Sequence, residues 1–255
     1  MLTATDLTAS LGSRRVLRGI SLSCAPGTLT AIVGPNGSGK TTLLRALSGD
    51  LPFGGAAMLN DTAIDRASPA LLAELRAVLA QTTQMAFAFS VLEVVRLGLV
   101  NGGDDTRALE ALARVGLAGY EGRPVHELSG GEQARVHLAR VLAQVWQPVQ
   151  PDGPRWLFLD EPVAALDIGH QLGVMRLARG YADQGGGVLA VMHDLNLSAM
   201  FADTILLLHE GQVIASGPPA RVLTDANLSL AYGCQLRVNT APPDGIWLVP
   251  QSVAS

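Results

Sequence analysis

Cysteine is scarce. The 255 residues contain only Cys24 and Cys234, far apart and without metal-ligand spacing, so neither a disulfide framework nor a zinc site is indicated, and a reducing compartment fits. Aromatic residues reach only 4% and charged residues 16%. Basic charge is not in excess: 18 Lys+Arg against 22 Asp+Glu give a formal net charge of −4. That balance argues against a nucleic-acid partner bound by phosphate neutralisation. Long hydrophobic runs are missing too, although the mean hydropathy is +0.29. A membrane span needs about 18 consecutive apolar residues. Residues 85–89 and 188–192 are too short, and 91–100 is interrupted by Glu93 and Arg96. No basic segment followed by an apolar core opens the chain, which speaks against a signal peptide. What is abundant is hydrophobic residues, at 48%, enough for a sizeable core in one or two domains.

The first third reads as strands. Ser21 and Ser23 alternate with Ile20 and Leu22, and Ser13-Arg14-Arg15 suits a hairpin tip. Residues 29–33 form a short apolar run that stops at Gly34, and Leu43, Leu44 and Leu47 then share a helical face. Residues 82–145 are mainly helical, with helices expected over 91–99, 107–115 and 129–145. Asp104-Asp105 reads as a solvated loop. Pro148, Pro151 and Pro154 break the chain before the buried-strand pattern Trp156-Leu157-Phe158-Leu159. A helix around 171–181, a strand at 188–192 and a hairpin turning at Glu210-Gly211 follow. This alternation predicts an α/β fold with a mainly parallel sheet.

The strongest chemical signal is Gly34-Pro35-Asn36-Gly37-Ser38-Gly39-Lys40-Thr41-Thr42, which satisfies G-x-x-x-x-G-K-[ST] between an apolar strand and a helix. Such a loop converges backbone N–H groups on an anion, and bulky side chains would block that approach. The helix N-terminus adds its dipole. Lys40 offers a cation to the β- and γ-phosphates, and the Thr41 hydroxyl can ligate Mg²⁺.

Asp160-Glu161 ends an apolar strand, and ligands in open α/β sheets bind beyond the carboxyl ends of strands. One acid can hold a metal while the other handles a water. Leu128-Ser129-Gly130-Gly131-Glu132 contains a capping box, Ser129 with Glu132. That box accounts for the segment locally, yet two glycines in a first turn are poor helix formers and suit close approach of a phosphate. His193 after an apolar strand reads equally well as a core histidine, and Gln81 alone is ordinary polarity. His126, His137, His170 and His209 have no metal-ligand spacing and read as structural.

The ordered set of phosphate loop, residues 128–132, Leu159-Asp160-Glu161-Pro162, Ala165-Leu166-Asp167 and a strand ending in His193 resembles the ATP-binding cassette family. The resemblance implies a P-loop NTPase core with an N-terminal antiparallel β-subdomain and an inserted helical subdomain. It runs as a single ATPase domain over residues 1–238, the helical subdomain at about 82–145, followed by a C-terminal tail at 239–255. It implies ATP and Mg²⁺ as ligands, with residues 34–42 on the phosphates and Thr41, Asp160 and Gln81 at the metal. Glu161 becomes the general base, His193 a γ-phosphate contact and Gln81 a sensor of metal and water. Ser129, Gly130, Gly131 and Asp167 would serve ATP held by a second copy of the chain, in a head-to-tail sandwich. Two departures stand out. Leu11 lies where the family stacks an aromatic on adenine, and Val163 and Ala164 replace polar residues after Pro162.

With one cassette and no membrane segment, the resemblance implies separate permease subunits, two of them, and a periplasmic substrate-binding protein. Gln81-Thr82-Thr83-Gln84-Met85-Ala86-Phe87-Ala88-Phe89 with residues 90–95, and residues 217–224, are similar to docking segments of bacterial importers for iron chelates, haem and vitamin B12. Exposed Met85, Phe87 and Phe89 would suit that contact. Within the group the haem-importing subunits are most similar, with siderophore or B12 import as the alternative. The expected location is the cytoplasmic face of the bacterial inner membrane, with haem never touching this chain. The competing class is a cassette ATPase acting on DNA or ribosomes, which typically carries a coiled-coil insertion or two cassettes.

Overall fold

The computed structural model describes residues 1–80, 89–100, 104–246 and 250. Two strands, β1 (Leu2–Leu11) and β2 (Arg14–Cys24), pair antiparallel. Leu11 already faces Arg14 in that register, so the tip is Gly12-Ser13. β3 (Leu29–Val33), buried throughout, leads through the glycine loop into α1 (Lys40–Ser48). β4 (Gly54–Leu59) and β5 (Thr62–Ala63) complete a four-stranded antiparallel sheet in the order β2-β1-β4-β5.

α2 (Pro69–Leu75) runs directly into β6 (Arg76–Leu79). The leucine spacing of α2 masks this strand in the sequence, and parallel pairing with the strand at Trp156–Asp160 decides it. α3 (Val91–Arg96), α4 (Asp105–Arg114) and α5 (Gly130–Gln144) pack on one another. The acidic pair at 104–105 is exposed, as expected, but starts a helix rather than lying wholly in a loop. Asp104 caps α4 by accepting from Arg107 N at 3.3 Å, and Asp105 pairs with Arg96 of α3. Phe89, expected to be exposed, packs half-buried against the core.

The proline-broken stretch forms a minimal hairpin, β7 (Val149–Gln150) and β8 (Gly153–Pro154). β9 (Trp156–Asp160), α6 (Ile168–Asp183), β10 (Gly187–Val191), α7 (Leu195–Phe201) and β11 (Thr204–His209) then alternate. β12 (Gln212–Gly217), α8 (Pro219–Val222) and α9 (Asp225–Tyr232) follow.

The six-stranded sheet has the order β12-β11-β3-β10-β9-β6, parallel except for the edge strand β12. β3, β9 and β10 are buried on both faces, as apolar parallel strands must be. Their side chains alternate between two cores. Trp156, Phe158, Leu189 and Ile32 join Leu43, Leu47 and Ile20 on one face. Leu157, Leu159, Ala190 and Val33 join Val141, Met175 and Ala178 on the other. Because β3, β10 and β9 are neighbours, their carboxyl ends bring three loops to one place. No helix among the described residues is long and apolar enough to cross a membrane.

Candidate functional site: the phosphate loop and its acids

The loop after β3 can only be glycine at its first position. Gly34 has φ +147°, and a Cβ there would lie 2.1 Å from the Leu208 carbonyl oxygen. Gly39, at φ +107°, caps α1 without a side-chain hydrogen bond. The first-turn amides of α1 therefore have no capping side chain, the condition under which a helix start favours an anion. Lys40 is almost buried at 6% exposure. Its Nζ donates to the carbonyls of Gly34 at 2.9 Å and Pro35 at 3.0 Å, which holds the ammonium against the loop. Burial lowers its pKa from the ordinary lysine value, and the carboxylates of Glu161 and Asp160 oppose that shift.

Asp160 closes β9, and the Thr41 hydroxyl donates to its Oδ1 at 3.1 Å. Burial pushes the Asp160 carboxyl above the usual aspartate range, the Thr41 bond pulls it back, and neighbouring Glu161 adds to the rise. Hydroxyl and carboxylate are the hard oxygen donors that Mg²⁺ accepts, and a pair of them leaves positions for phosphate and water.

Glu161 stands just outside the strand in a left-handed conformation, φ +52°. Such a backbone costs a non-glycine residue about 1–2 kcal/mol. Its amide is tied to the Val191 carbonyl of β10 at 3.1 Å. Its Oε1 meets Nε2 of His193, which follows β10, at 2.5 Å. A cavity of about 420 Å³ lies between these groups and the loop, lined among others by Leu11, Arg14, Val16, Lys40, Thr41, Glu161 and His193. The structure thus brings the phosphate loop, the two acids and His193 together.

It does not bring every expected residue there. Ser129, Gly130, Gly131 and Asp167 are not among the residues that line this cavity. Ser129 and Glu132 form a full capping box at the start of α5: Ser129 Oγ accepts from Glu132 N at 3.3 Å, and Glu132 Oε2 accepts from Ser129 N at 2.8 Å. A Cβ on Gly131 would crowd the Ala165 carbonyl at 3.3 Å, whereas Gly130 faces open space. Asp167 caps α6. Gln81, Met85 and Phe87 lie outside the described residues.

The sequence model of the ABC transporter family matches residues 17–164. The chain belongs to the ABC transporter family. It is 59% identical over 254 residues to the hemin import ATP-binding protein HmuV of Jannaschia sp. (strain CCS1), covering 98% of this chain and 94% of that protein. The hemin import ATP-binding protein HmuV of Roseobacter denitrificans is 59% identical over 245 residues, covering 95% and 94%. Among solved structures, the ADP conformation of MJ1267, an ATP-binding cassette of an ABC transporter, matches with a TM-score of 0.78 at 25% identity, covering 91% of this chain and 98% of that one. A dimeric post-hydrolysis state of the cassette MJ0796, bound to ADP and Pi, matches with a TM-score of 0.76 at 26% identity, covering 86% and 99%.

Three features of this cassette escaped the motif reading. Arg14 and Val16 line the cavity with Leu11, an arrangement set by the β1–β2 register that no motif announces. Tyr232 of α9 reaches the backbone of Gly34 and lines the outer side of the phosphate loop with Pro35 and Asn36. Lys40 is also the only lysine in the sequence, a signal that a residue count exposes.

Proposed function

We propose that this cassette is the ATP-hydrolysing, energy-coupling subunit of a haem importer, working as a pair of copies on separate permease subunits. The observation that carries the ATPase reading is one cavity lined by Lys40, Thr41, Glu161 and His193, with Asp160 accepting from the Thr41 hydroxyl, where the chain leaves β3, β9 and β10. The haem assignment rests on relatives named hemin import ATP-binding proteins, 59% identical over nearly the whole chain.

Residues 34–42 cradle the triphosphate, with Lys40 supplying the cation. Thr41 and Asp160 would hold Mg²⁺, which neutralises charge on the phosphates when bound. Glu161 accepts the proton of the attacking water while His193 fixes its carboxylate and faces the γ-phosphate. The reaction needs mainly positioning and charge stabilisation, so a cassette whose Ser129, Gly130, Gly131 and Asp167 act only across a pair is switched on by pairing. ATP favours the closed pair and hydrolysis releases it, and docking through residues 81–95 and 217–224 converts that cycle into permease movement.

The test is ATPase activity of the chain reconstituted with its permease and periplasmic binding protein. Haem-loaded binding protein should stimulate turnover several-fold. Stimulation by a ferric siderophore or vitamin B12 instead of haem reassigns the cargo, and no ATP turnover in any arrangement contradicts the function itself.

A further inference from the structure

Among the described residues, three helices start with a side-chain cap whose third residue answers back, and one of them is built differently. α3 and α5 use Ser-x-x-Glu boxes, Ser90 with Glu93 and Ser129 with Glu132, in which the glutamate accepts from the capping residue's own N–H. At α6 the capping residue is Asp167, and the answering residue three positions on is His170. Its ring donates rather than accepts. His170 N donates to Asp167 Oδ1 at 3.0 Å, and His170 Nδ1 donates to Oδ2 at 2.7 Å.

The helix dipole does not explain this exchange. The positive end of a helix dipole favours anionic side chains in the first turn, and an imidazole is not one. What the imidazole does accomplish is geometric. An aspartate cap is ordinarily held through one oxygen and leaves the other free to swing, whereas here both oxygens are held and the carboxylate plane is fixed. The base beneath it is braced as well, since Gln171 Nε2 donates to the carbonyls of Val163 at 3.3 Å and Leu166 at 3.0 Å. The two bonds from His170, its backbone amide first and its ring second, also hold the Asp167 carboxyl below the ordinary aspartate range. Yet the two side chains remain 70% and 47% exposed for Asp167 and His170 respectively. A carboxylate oriented this firmly and left facing outward is pre-organised for a contact outside its own chain, where a fixed rotamer reduces the cost of association.

We propose that His170 is a positioning residue that fixes the carboxylate plane of Asp167 for contact with a second copy of this chain. This rests on the paired-cassette reading above. His170 itself touches neither nucleotide nor reacting atoms, so it tunes how readily two copies close and leaves nucleotide capture by one copy alone.

The experiment uses the full chain carrying Glu161→Gln, with pairing followed by light scattering as Mg-ATP is titrated. Adding His170→Ala should raise the ATP concentration at half-pairing by roughly three- to ten-fold, the scale of one net hydrogen bond per copy. Binding of a fluorescent ATP analogue by the unpaired chain should stay at the parent's value, and the Tm should fall by no more than about 2–4 °C, the scale of one exposed hydrogen bond. His170→Asn carries an amide nitrogen on Cγ, where histidine carries Nδ1, and should restore the parent's half-point. Pairing of the alanine variant at the parent's ATP concentration overturns the proposal. So does a shift accompanied by a larger fall in Tm or by an equal loss of monomer nucleotide affinity, which would make His170 a structural cap only. If the Glu161→Gln parent never pairs with ATP, the paired reading itself has failed and this inference falls with it.

Discussion

Glu161 Oε1 and His193 Nε2 sit 2.5 Å apart although 32 residues separate them in the chain. The two residues extend from the neighbouring parallel strands β9 and β10, whose register sets Val191 beside Asp160. The left-handed φ of +52° at Glu161 turns its side chain out of the strand direction toward the histidine. Sheet topology and one strained residue therefore build the pair, and the chemistry assigned to the site depends on it.

Replacing the carboxylate should separate binding from turnover. Glu161→Gln is expected to keep ATP affinity within a few-fold of the parent and to lower kcat by roughly 10²–10⁴, the range of a lost general base. His193→Ala should lower kcat while leaving ADP affinity unchanged, because ADP has no γ-phosphate for the ring to face. Steady-state kinetics and nucleotide titration measure both. Glu161→Gln hydrolysing at the parental rate would remove the assigned base.

Lys40 offers a chemical test because no other lysine competes with it. Pyridoxal phosphate followed by borohydride should modify two amines, the Met1 α-amine and Lys40, distinguishable by peptide mass mapping. Burial lowers the Lys40 pKa and so raises its neutral, reactive fraction at a given pH. Mg-ATP should suppress labelling at Lys40 by at least about ten-fold if the nucleotide is bound near saturation, with Met1 labelling unaffected. Equal labelling of Lys40 with and without ATP would contradict phosphate contact at this residue.

The acid limb of stability should depend on His137, a residue of α5 outside the site. It is buried with no hydrogen-bond partner for Nδ1. Burial, with the Arg140 charge adding to it, lowers its pKa from 6.5 to about 4. The unfolded chain thus takes up a proton below pH 6.5 that the folded chain refuses until about pH 4. Stability is fully retained above the first value and falls as pH drops through that window, by roughly 1–3 kcal/mol. His137→Met should flatten this part of the urea-midpoint profile. An unchanged slope between pH 6.5 and 4 would mean that His137 is not the group responsible.

Much of this was legible in the sequence, and the exceptions have physical causes. The glycine loop could be read because a Cβ at Gly34 is sterically impossible, a constraint that leaves its mark on composition. The buried strands around Trp156 and Val188 could be read because parallel central strands require unbroken apolar runs. β6 could not, since Arg76-Ala77-Val78-Leu79 continues a leucine-spaced helix and becomes a strand only by pairing with β9. Asp104 and Asp105 are solvated as expected, but their bonds to Arg107 N and the Arg96 side chain could not be read because the packing of α3 and α4 fixes those partners. In the site, motif order supplied Lys40, Asp160, Glu161 and His193, whereas the lining by Arg14 and Val16 follows from strand register. The Asp167–His170 tie has a sequence spacing but no named motif, so it was read as an ordinary histidine.

The proposed completion of each copy's site by a second copy is tested most directly by the rate of ATP hydrolysis by the full chain as a function of its own concentration. Specific activity should rise steeply with protein concentration at saturating Mg-ATP and fall toward zero at dilutions where light scattering reports single chains. A specific activity that stays constant through those dilutions, with the chain demonstrably unpaired, would contradict it.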